Sequence, residues 1–330
     1  MNRFGRNFSL SIFGESHGEA IGVTLDGVRP GLDLSADDFT KDILRRKSGS
    51  AGTTPRVEAD QPQIVSGLFN GKTTGAPLTI LFRNENVRSG DYSQFKAQPR
   101  PGHADYTARI KWHDFNDPRG GGHFSGRITL PIVAAGVVAK KMLNAHIHAE
   151  IIELGGIPYT GKEQSWKEKL DETIREKDSI GGIVECHAEG LEPGLGEPFF
   201  DSVESLIAHA VFSIPGVRGI EFGDGFQASR MKGSEHNDPL GREEDGRIRP
   251  EKNGAGGVNG GITNGNPLVF RVAFKPTSSI GKTQETLNVE TGQKEKFTIE
   301  GRHDVCFVLR TPVIVEAMTA IVLADLARIL

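Results

Sequence analysis

Glycine constrains this chain more than any other residue type. It supplies 42 of the 330 residues, about an eighth of the chain, against roughly 7% in ordinary proteins. The glycines gather in short sets between apolar segments, at Gly14–Gly18, Gly120–Gly122 and Gly254–Gly261, and do not form a linker. Because glycine accepts positive φ and leaves room beside the backbone, such sets are typical of loops that approach a ligand closely. For any one set, a tight turn is the simpler interpretation.

Charge, cysteine content and the length of apolar runs exclude several classes of protein. Lys and Arg number 39 against 43 Asp and Glu, a formal net charge of −4, whereas nucleic-acid-binding domains are usually basic. The chain has no run of 18 apolar residues, and its start lacks the apolar core of a secretory signal. Cys186 and Cys306 are too few for a disulfide framework or a zinc cluster. We therefore expect a cytoplasmic protein with no nucleic-acid partner and no membrane partner.

Alternating apolar and polar residues predict strands that occur in groups along the chain. Two of these strands, Gln63–Phe69 and Ala76–Phe82, flank Asn70-Gly71, which predicts a hairpin with a longer loop. The predicted strands are Phe8–Phe13, Ile21–Leu25, Gln63–Phe69, Ala76–Phe82, Ile147–Leu154, Gly182–His187, Gly219–Phe222, Pro267–Phe274 and Val305–Leu309.

Capping signals and helical periodicity predict the helices. Ser35, followed three residues later by Asp38, forms a capping box that opens a helix over Leu34–Lys47. Thr311 and Pro312 are an N-cap and a first-turn proline, and they open an apolar helix that runs to the end of the chain. The other predicted helices are Leu130–Leu143, which is apolar all round, the amphipathic Trp166–Lys177, and Val203–Phe212. Helices that are apolar all round belong in a protein interior.

Grouped strands and two buried helices predict an α+β fold of layers with antiparallel sheets, not a regular βαβ alternation. No repeat of fixed period is visible, and no change of composition marks a boundary. We therefore expect residues 1–330 to form a single domain.

Three loops framed by glycine or proline carry the residues best suited to acid/base chemistry. A lone loop histidine is usually only solvated. Two framed histidines and an aspartate in one chain fit an acid/base set better, because a core would place histidines on apolar faces. The loops are Gly14–Gly18 with His17, Arg100–Asp105 with His103, and Gly301–Asp304 with Asp304.

Arginines concentrate near these loops, although the chain as a whole is acidic. Guanidinium groups bind phosphate and carboxylate through paired hydrogen bonds, so the pattern predicts a small anionic ligand. Cations at a helix C-terminus are also favoured by the helix dipole, which suffices to explain Lys47 alone. The cations concerned are Lys41, Arg45, Arg46, Lys47, Arg56, Arg100, Arg109, Arg119, Arg127 and Arg302.

The segment Lys275–Ser279 follows a predicted strand and offers ammonium, hydroxyl and amide donors. Such a loop is a suitable cradle for a phosphate monoester. The sequence contains neither a P-loop nor the glycine fingerprint of a dinucleotide-binding fold. It also lacks the histidine and cysteine spacings of metal sites, so we expect no metal.

Seven short segments in a fixed order give the chain a family likeness. They are Phe13–Gly18, Asp91–Ser93, Arg100–Tyr106, Pro118–Gly122, Glu221–Phe226, Lys275–Ile280 and Gly301–Asp304. Together they resemble the signatures of chorismate synthase, from one end of the chain to the other. The resemblance implies two antiparallel sheets that enclose central helices, in a subunit that assembles as a homotetramer.

The resemblance also implies an activity: 5-enolpyruvylshikimate 3-phosphate loses phosphate in a 1,4-elimination that gives chorismate, the last step of the shikimate pathway. Members of the family need reduced FMN, although no net oxidation occurs. NADPH acting on the protein itself and an external flavin reductase both stay open as the source of the reduced flavin.

Two rival functions stay open. One is a flavin-dependent oxidoreductase acting on a small phosphorylated acid, which would consume reduced flavin in proportion to its product. The other is a non-catalytic flavin- or phosphate-binding protein, which would not need two framed histidines together with an aspartate.

By resemblance, His17 would protonate the departing phosphate, and His103 would lie beside the flavin and help to hold its protonation state. Asp304 would act with flavin N5 in taking the ring proton, and Arg46 matches a position linked to the reductant nucleotide and the substrate. The further implied anion ligands are Arg45, Arg100, Arg127 and Arg302. The implied FMN contacts are His123, Phe124, Ser125, Gly260, Lys275, Pro276, Thr277, Ser278, Ser279 and Arg302.

The chain departs from the family pattern at three places. His123 and Phe124 stand where the family often has arginine and serine, which removes a cation and a hydroxyl group. Val305 replaces a common proline, and the neutral segment Ser48–Gly52 lacks an arginine often found there.

Overall fold

The computed structural model describes residues 1–49, 51–54, 58–86, 94–159, 163–244, 246–299 and 303–327. Its helices are α1 (Thr40–Arg46), α2 (Asp105–Lys111), α3 (Thr129–Met142), α4 (Glu163–Arg175), α5 (Val203–Val211), α6 (Gly233–His236) and α7 (Pro312–Leu326). Its strands are β1 (Arg3–Phe4), β2 (Ser9–Gly14), β3 (Ala20–Asp26), β4 (Gln63–Ser66), β5 (Leu68–Phe69), β6 (Lys72–Thr73), β7 (Leu78–Arg83), β8 (His146–Leu154), β9 (Ile157–Pro158), β10 (Gly182–Glu189), β11 (Val217–Phe222), β12 (Leu240–Arg242), β13 (Ile248–Pro250), β14 (Val258–Asn259), β15 (Ile262–Thr263), β16 (Leu268–Phe274), β17 (Gln284–Leu287) and β18 (Lys294–Phe297).

Most of these strands lie in two antiparallel sheets. The first sheet has the order β1-β2-β3-β7-β4 and the second the order β11-β16-β10-β8-β9. The remaining strands pair as short hairpins, β5 with β6, β12 with β13, β14 with β15, and β17 with β18. The two strands predicted around Asn70-Gly71 pair as β4 and β7. Within their loop, Asn70 and Gly71, with φ of 48° and 73°, form a tight two-residue turn between β5 and β6.

Two apolar helices fill the space between the sheets. α3 packs against the first sheet, while α7 packs against the second sheet and against α3. The two helices approach so closely that a Cβ on Gly136 would lie 2.5 Å from the Cα of Ala317, so only glycine fits there. The predicted α+β layering, with antiparallel sheets enclosing central helices, is confirmed.

The capping box predicted at the start of the first helix is present. The backbone N–H of Ser35 donates to Oδ2 of Asp38 at 2.8 Å, and a 3₁₀ turn over Ala36–Phe39 leads into α1. Phe39 and Ile43 then bury the inner face of this segment. None of the described helices combines the length and the apolarity that crossing a membrane requires.

The strand predicted over Val305–Leu309 is wrong. A 3₁₀ helix occupies Phe307–Arg310 and leads directly into α7. The N–H groups of Val305 and Cys306 both donate to the carbonyl oxygen of Gly52, at 3.0 and 2.9 Å, instead of to a neighbouring strand. A short apolar run predicts burial, but its pattern does not separate a strand from a buried turn.

Candidate active site

A cavity of about 810 Å³ gathers residues from distant parts of the chain. Its wall includes the start of β1, the end of α1, the loop before α3, the loop after β16 and the segment before α7. Most residues predicted for the site line this cavity, namely Arg46, Arg100, His103, His123, Phe124, Ser125, Arg127, Lys275, Pro276, Thr277, Ser278, Ser279 and Asp304.

Four predicted residues are not part of this wall as the structure describes it. His17 is buried directly behind Gly120, which does line the cavity. Gly260 is exposed in the turn between β14 and β15, away from the cavity. Arg45 is bound elsewhere, as shown below, and Arg302 lies outside the described residues.

The glycine triplet Gly120–Gly122 explains how both predicted histidines reach one place. All three glycines have positive φ, at 61°, 80° and 54°. A Cβ on Gly120 would lie 2.7 Å from Nε2 of His17, and a Cβ on Gly121 would lie 3.5 Å from Nε2 of His103. The two imidazole rings therefore contact neighbouring residues of one loop, and a side chain at Gly120 would collide with the first ring.

His103 belongs to a buried three-residue network with Arg100 and Asp105. Nδ1 of His103 lies 2.6 Å from Oδ1 of Asp105, while Nε and Nη2 of Arg100 donate to the same carboxylate at 2.7 Å each. The short contact indicates the tautomer with its proton on Nδ1. In the neutral ring, Nε2 beside Gly121 is then the basic nitrogen.

Burial and charge set the protonation of this network. Burial lowers the pKa of His103, and the hydrogen bond to Asp105 only partly opposes that effect. For Asp105, burial favours the neutral acid, but the hydrogen bonds from Arg100 and His103 outweigh it and hold the pKa of this carboxyl well below its usual range. Asp105 is therefore a fixed negative charge, and His103 is a neutral base near pH 7.

Three buried arginines with two aspartates form the inner end of the cavity. Arg127 donates to Asp60 at 2.5 Å, and Nη1 of Arg46 lies 3.9 Å from the other oxygen of Asp60. Arg310 donates to Asp304 at 2.5 Å. Burial, and then the neighbouring charge of Arg310, lowers the pKa of Arg46 to about 9. An anionic ligand beside Arg46 would favour the charged form of this guanidinium, which burial and the neighbouring cations disfavour.

Asp304 also ties this inner end to the predicted phosphate loop. Its Oδ1 accepts the N–H of Thr54 at 2.9 Å. Its backbone carbonyl accepts the hydroxyl of Thr277 at 2.5 Å. With Arg310 on Oδ2, the carboxylate is held from both sides, which fixes its orientation at the cavity wall.

The loop Lys275–Ser279 turns its donors towards Gly102, the residue before His103. Nζ of Lys275 donates to the carbonyl of Gly102 at 2.6 Å and to Oγ of Ser278 at 2.8 Å. Oγ of Ser279 accepts from Arg100 at 3.0 Å. Burial lowers the pKa of Lys275, and the nearby charge of Arg218 lowers it further.

His123 and Phe124, which depart from the family pattern, and the neighbouring Ser125 all make contacts within the chain. His123 places Nδ1 2.7 Å from the carbonyl oxygen of Gly14 and Nε2 3.2 Å from Oδ1 of Asn2, so it ties the glycine loop to β2. The ring of Phe124 lies 5.4 Å from that of Trp112. Oγ of Ser125 accepts the N–H of Arg127 at 3.3 Å as the N-cap of a 3₁₀ turn.

Arg45 belongs to a second charge cluster, outside the cavity. Its two terminal nitrogens donate to both oxygens of Glu316, at 2.7 and 2.6 Å. Lys140 donates to the same carboxylate at 2.9 Å, and only 2% of Glu316 is exposed. Arg45 therefore connects α1 to α7, whereas the adjacent Arg46 faces the cavity.

The sequence analysis missed five charged residues of the cavity wall, namely Arg3, Glu58, Asp60, Arg218 and Arg310. Asp60 and Arg310 provide the counter-charges of the inner, buried end, whereas Arg218 lies in the exposed part of the wall, which we call the outer end. Arg310 stands directly before Thr311 and Pro312, the predicted start of an apolar helix. This position could have predicted that Arg310 is buried together with the start of that helix. Asp60 has φ of 55°, but nothing in the sequence marks that conformation.

The charge pattern of the cavity favours the binding of anions. In the described part of the chain, no three His, Cys, Asp or Glu side chains are placed to share a metal ion. The titratable groups that line the cavity are mainly cations and histidines, and two of its three described carboxylates, Asp60 and Asp304, are paired with arginines. Such a site can bind multiply charged anions and move protons.

Comparisons with known proteins agree with this geometry. The chorismate synthase family model matches residues 8–327. The chain is 58% identical over 327 residues to the chorismate synthase of Chitinophaga pinensis, covering 98% of this chain and 96% of that one. It is 46% identical over 347 residues to the chorismate synthase of Korarchaeum cryptofilum, with 98% and 96% coverage.

A solved structure supports the same relationship. A crystal structure of chorismate synthase superposes with a TM-score of 0.75 at 27% sequence identity, over 98% of this chain and 92% of that chain. The family resemblance and the fold class expected from the sequence are both confirmed. Sequence and fold together show that this chain belongs to the chorismate synthase family.

Proposed function

We propose that this protein converts 5-enolpyruvylshikimate 3-phosphate into chorismate and phosphate by 1,4-elimination, with reduced FMN. Membership of the family supports the reaction. The observation that carries it here is the cavity itself, in which Arg46, Arg100 and Arg127 line the same wall as His103 and Asp304. A substrate with two carboxylates and a phosphate needs such a set of guanidinium donors.

The residues present fit FMN. Gly102 and Gly120 both line the cavity, and a Cβ on Gly102 would lie 3.4 Å from Oγ of Ser278. The missing Cβ atoms let a flat ring approach the backbone, and Lys275–Ser279 offers ammonium and hydroxyl donors to its polar groups. Reduced FMN would supply an electron-rich ring and a proton acceptor at N5, without net oxidation of the substrate.

The buried arginines bind and orient the substrate. Arg46 is held by Oγ1 of Thr129 at 3.1 Å and by the carbonyl of Gly126 at 2.7 Å, so its remaining donors have a fixed direction. Arg127 is fixed in the same way by Asp60 and by Oδ1 of Asn84 at 2.9 Å. Fixed donors cost little reorganisation when the ligand binds, which favours one orientation of the leaving phosphate.

Proton movement is the task of the two histidines and the aspartate. His17, whose ring contacts the glycine triplet, donates a proton to the departing phosphate, a general-acid step that an imidazolium group can perform. His103 is kept neutral by burial, with Asp105 fixing its tautomer, and it holds protons at the flavin side of the cavity. Asp304 stays oriented by Arg310 and Thr54 and serves as the acceptor of the ring proton.

The proposal also covers the domain organisation, the oligomeric state, the cellular location and the source of reduced flavin. Residues 1–330 would act as one catalytic domain, in agreement with a core that runs from Phe8 to Ala324. The subunit would assemble as a homotetramer in the cytoplasm. Reduced flavin would come from NADPH on the protein, with Arg46 near the nucleotide, or from an external flavin reductase.

An anaerobic phosphate-release assay tests the function. The protein is mixed with 5-enolpyruvylshikimate 3-phosphate and either chemically reduced FMN, oxidised FMN, or oxidised FMN with NADPH. We expect phosphate and chorismate in equal amounts with reduced FMN, many turnovers per flavin, and none with oxidised FMN alone. Equal turnover with oxidised flavin, or one flavin consumed per product, would contradict the proposal. The third mixture decides whether NADPH suffices.

A further inference from the structure

The outer end of the cavity holds positive charge that the proposed chemistry does not use. Arg218 lines the cavity and is exposed. Its side chain makes no hydrogen bond and no ion pair with any residue that the structure describes. Most cations of the cavity wall, in contrast, are bound to a carboxylate, a hydroxyl or a carbonyl.

An irregularity of the second sheet directs Arg218 to this place. β11 pairs with β16, with Val217 opposite Phe274 and Gly219 opposite Ala273, so the register shifts at Arg218. Such a β-bulge inserts one unpaired residue and re-aims its side chain, and bulges are common beside active sites. The bulge lies at the start of β11, next to the end of β16 that continues into Lys275.

Lys275 provides a second cation close to Arg218. Its backbone N–H donates to the carbonyl of Gly216 at 2.8 Å, which ties the phosphate loop to the segment before Arg218. The charge of Arg218 is close enough to lower the pKa of Lys275. Two neighbouring cations without a described carboxylate partner repel each other, and an anion between them would remove that repulsion.

We propose that Arg218 adds a second cation beside the cofactor loop and binds, together with Lys275, the phosphate monoester of a ligand held in the cavity. The Lys275 ammonium group uses two of its three N–H donors on Gly102 and Ser278, and the third is available to a phosphate oxygen. The Arg218 guanidinium offers a planar pair of donors that matches a second and third oxygen. This inference rests on the proposed function for the identity of the ligands.

Two ligands of the proposed reaction carry such a group, FMN and the substrate. Riboflavin has the same ring as FMN but no phosphate, so it isolates the contribution of that group. We would measure dissociation constants of FMN and riboflavin by quenching of flavin fluorescence. Calorimetry would give the dissociation constant of 5-enolpyruvylshikimate 3-phosphate in the presence of oxidised FMN.

The variants are Arg218→Ala, Arg218→Lys and the control Arg29→Ala. Arg29 is also exposed, has no side-chain hydrogen bond or ion pair with described residues, and does not line the cavity. The control therefore removes the same charge at a distance. Because Arg218 is exposed and unpaired among described residues, we expect the melting temperature of every variant to stay at the wild-type value.

We expect Arg218→Ala to weaken FMN binding by ~10–100-fold, the worth of a charged hydrogen-bonding group, and riboflavin binding by less than about twofold. Arg218→Lys should lie between the wild type and Arg218→Ala, and Arg29→Ala should bind as the wild type does. A loss confined to the substrate would also support the phosphate site and would assign it to the substrate. Equal losses for FMN and riboflavin, or no loss for any ligand, would overturn the inference.

The results that would reject the proposed lyase activity differ from those that would reject the phosphate site. The wild type could bind FMN more tightly than riboflavin, and Arg218→Ala could abolish that difference, while no phosphate is released from the substrate. That result would support the phosphate site and reject the lyase activity. If the wild type releases phosphate but Arg218→Ala binds every ligand with unchanged affinity, the lyase activity is supported and the phosphate site is rejected.

Discussion

The two ends of the cavity hold their positive charges in different ways. At the inner end, Arg127 is bound to Asp60 and Arg310 to Asp304, and each side chain is almost fully buried. At the outer end, Arg218 has no partner among the described residues, and Lys275 contacts only a carbonyl and a hydroxyl. Paired arginines give direction to a bound ligand, whereas unpaired cations gain most from its charge. The inner end is thus suited to chemistry and the outer end to affinity.

The largest expected effect is on turnover, and it concerns the residues proposed to move protons. Replacing His17 or Asp304 with Ala should lower turnover by ~10²–10⁴, the usual worth of a positioned proton donor or acceptor. FMN binding should largely survive in both variants, because neither side chain belongs to the loop Lys275–Ser279. Single-turnover phosphate release with pre-reduced FMN measures the chemical step.

His113→Asn is the matched control for this experiment. His113 is exposed and has φ of 52°, a conformation that asparagine accepts well. It should leave turnover unchanged. Wild-type rates in His17→Ala and Asp304→Ala, or a control as damaged as they are, would show that the assigned roles are wrong even though the family is right.

A second prediction compares two arginines that are adjacent in sequence. Arg46→Ala should weaken substrate binding by ~2–5 kcal/mol, since truncating one partner of a desolvated charge pair is costly. Arg45→Ala should change substrate affinity little. It should instead lower the free energy of unfolding by about 1–3 kcal/mol, because Glu316 is buried and would lose both hydrogen bonds from that guanidinium.

Calorimetric binding of the substrate and urea unfolding measure the two quantities on the same variants. A loss of affinity in Arg45→Ala as large as in Arg46→Ala would mean that the ion-pair cluster and the cavity are one functional unit. It would also return Arg45 to the ligand set that the family resemblance implied.

This pair of arginines shows why only part of the site could be predicted. Both residues stand in the cationic segment before Ser48, and composition treats them alike. Successive residues of a helix point about 100° apart, so α1 turns one arginine to the cavity and the other to α7. Which face meets which partner depends on Glu316, which is 271 residues away from Arg45.

The fold was more predictable than the partners of its charged groups. Local signals suffice for the capping box at Ser35 and for the buried helix beginning at Thr129, because each depends on residues close in sequence. The pairing of Arg127 with Asp60 spans 67 residues, and the bulge at Arg218 depends on the register of β16. No short-range pattern carries such information.

The smallest predicted effect concerns the pH dependence of the His103 network. Asp105→Asn removes a carboxylate that raises the pKa of His103, so the pKa of His103 should fall further below its ordinary value. Turnover at pH 7 should change by less than about tenfold, the worth of one hydrogen bond. An NMR titration of the His103 ring, assigned by comparison with His103→Gln, measures the shift, and Asp171→Asn, at an exposed acid outside the cavity, should leave it unchanged.

The same substitution changes stability with a defined sign. In the folded wild type the pKa of His103 is already below its unfolded value, so this group contributes stability that is present above the unfolded value near ~6.5 and is lost as pH falls. A still lower folded pKa deepens that loss. The free energy of unfolding should therefore fall more steeply on acidification through pH 6 in Asp105→Asn than in the wild type or in Asp171→Asn.

The titration of Asp105 itself does not obscure this pH range, since its lowered pKa confines its own contribution to a more acidic range. Parallel pH profiles in all three proteins would show that Asp105 does not set the protonation of His103, and the Asp105 carboxylate would then serve only to hold Arg100 in place.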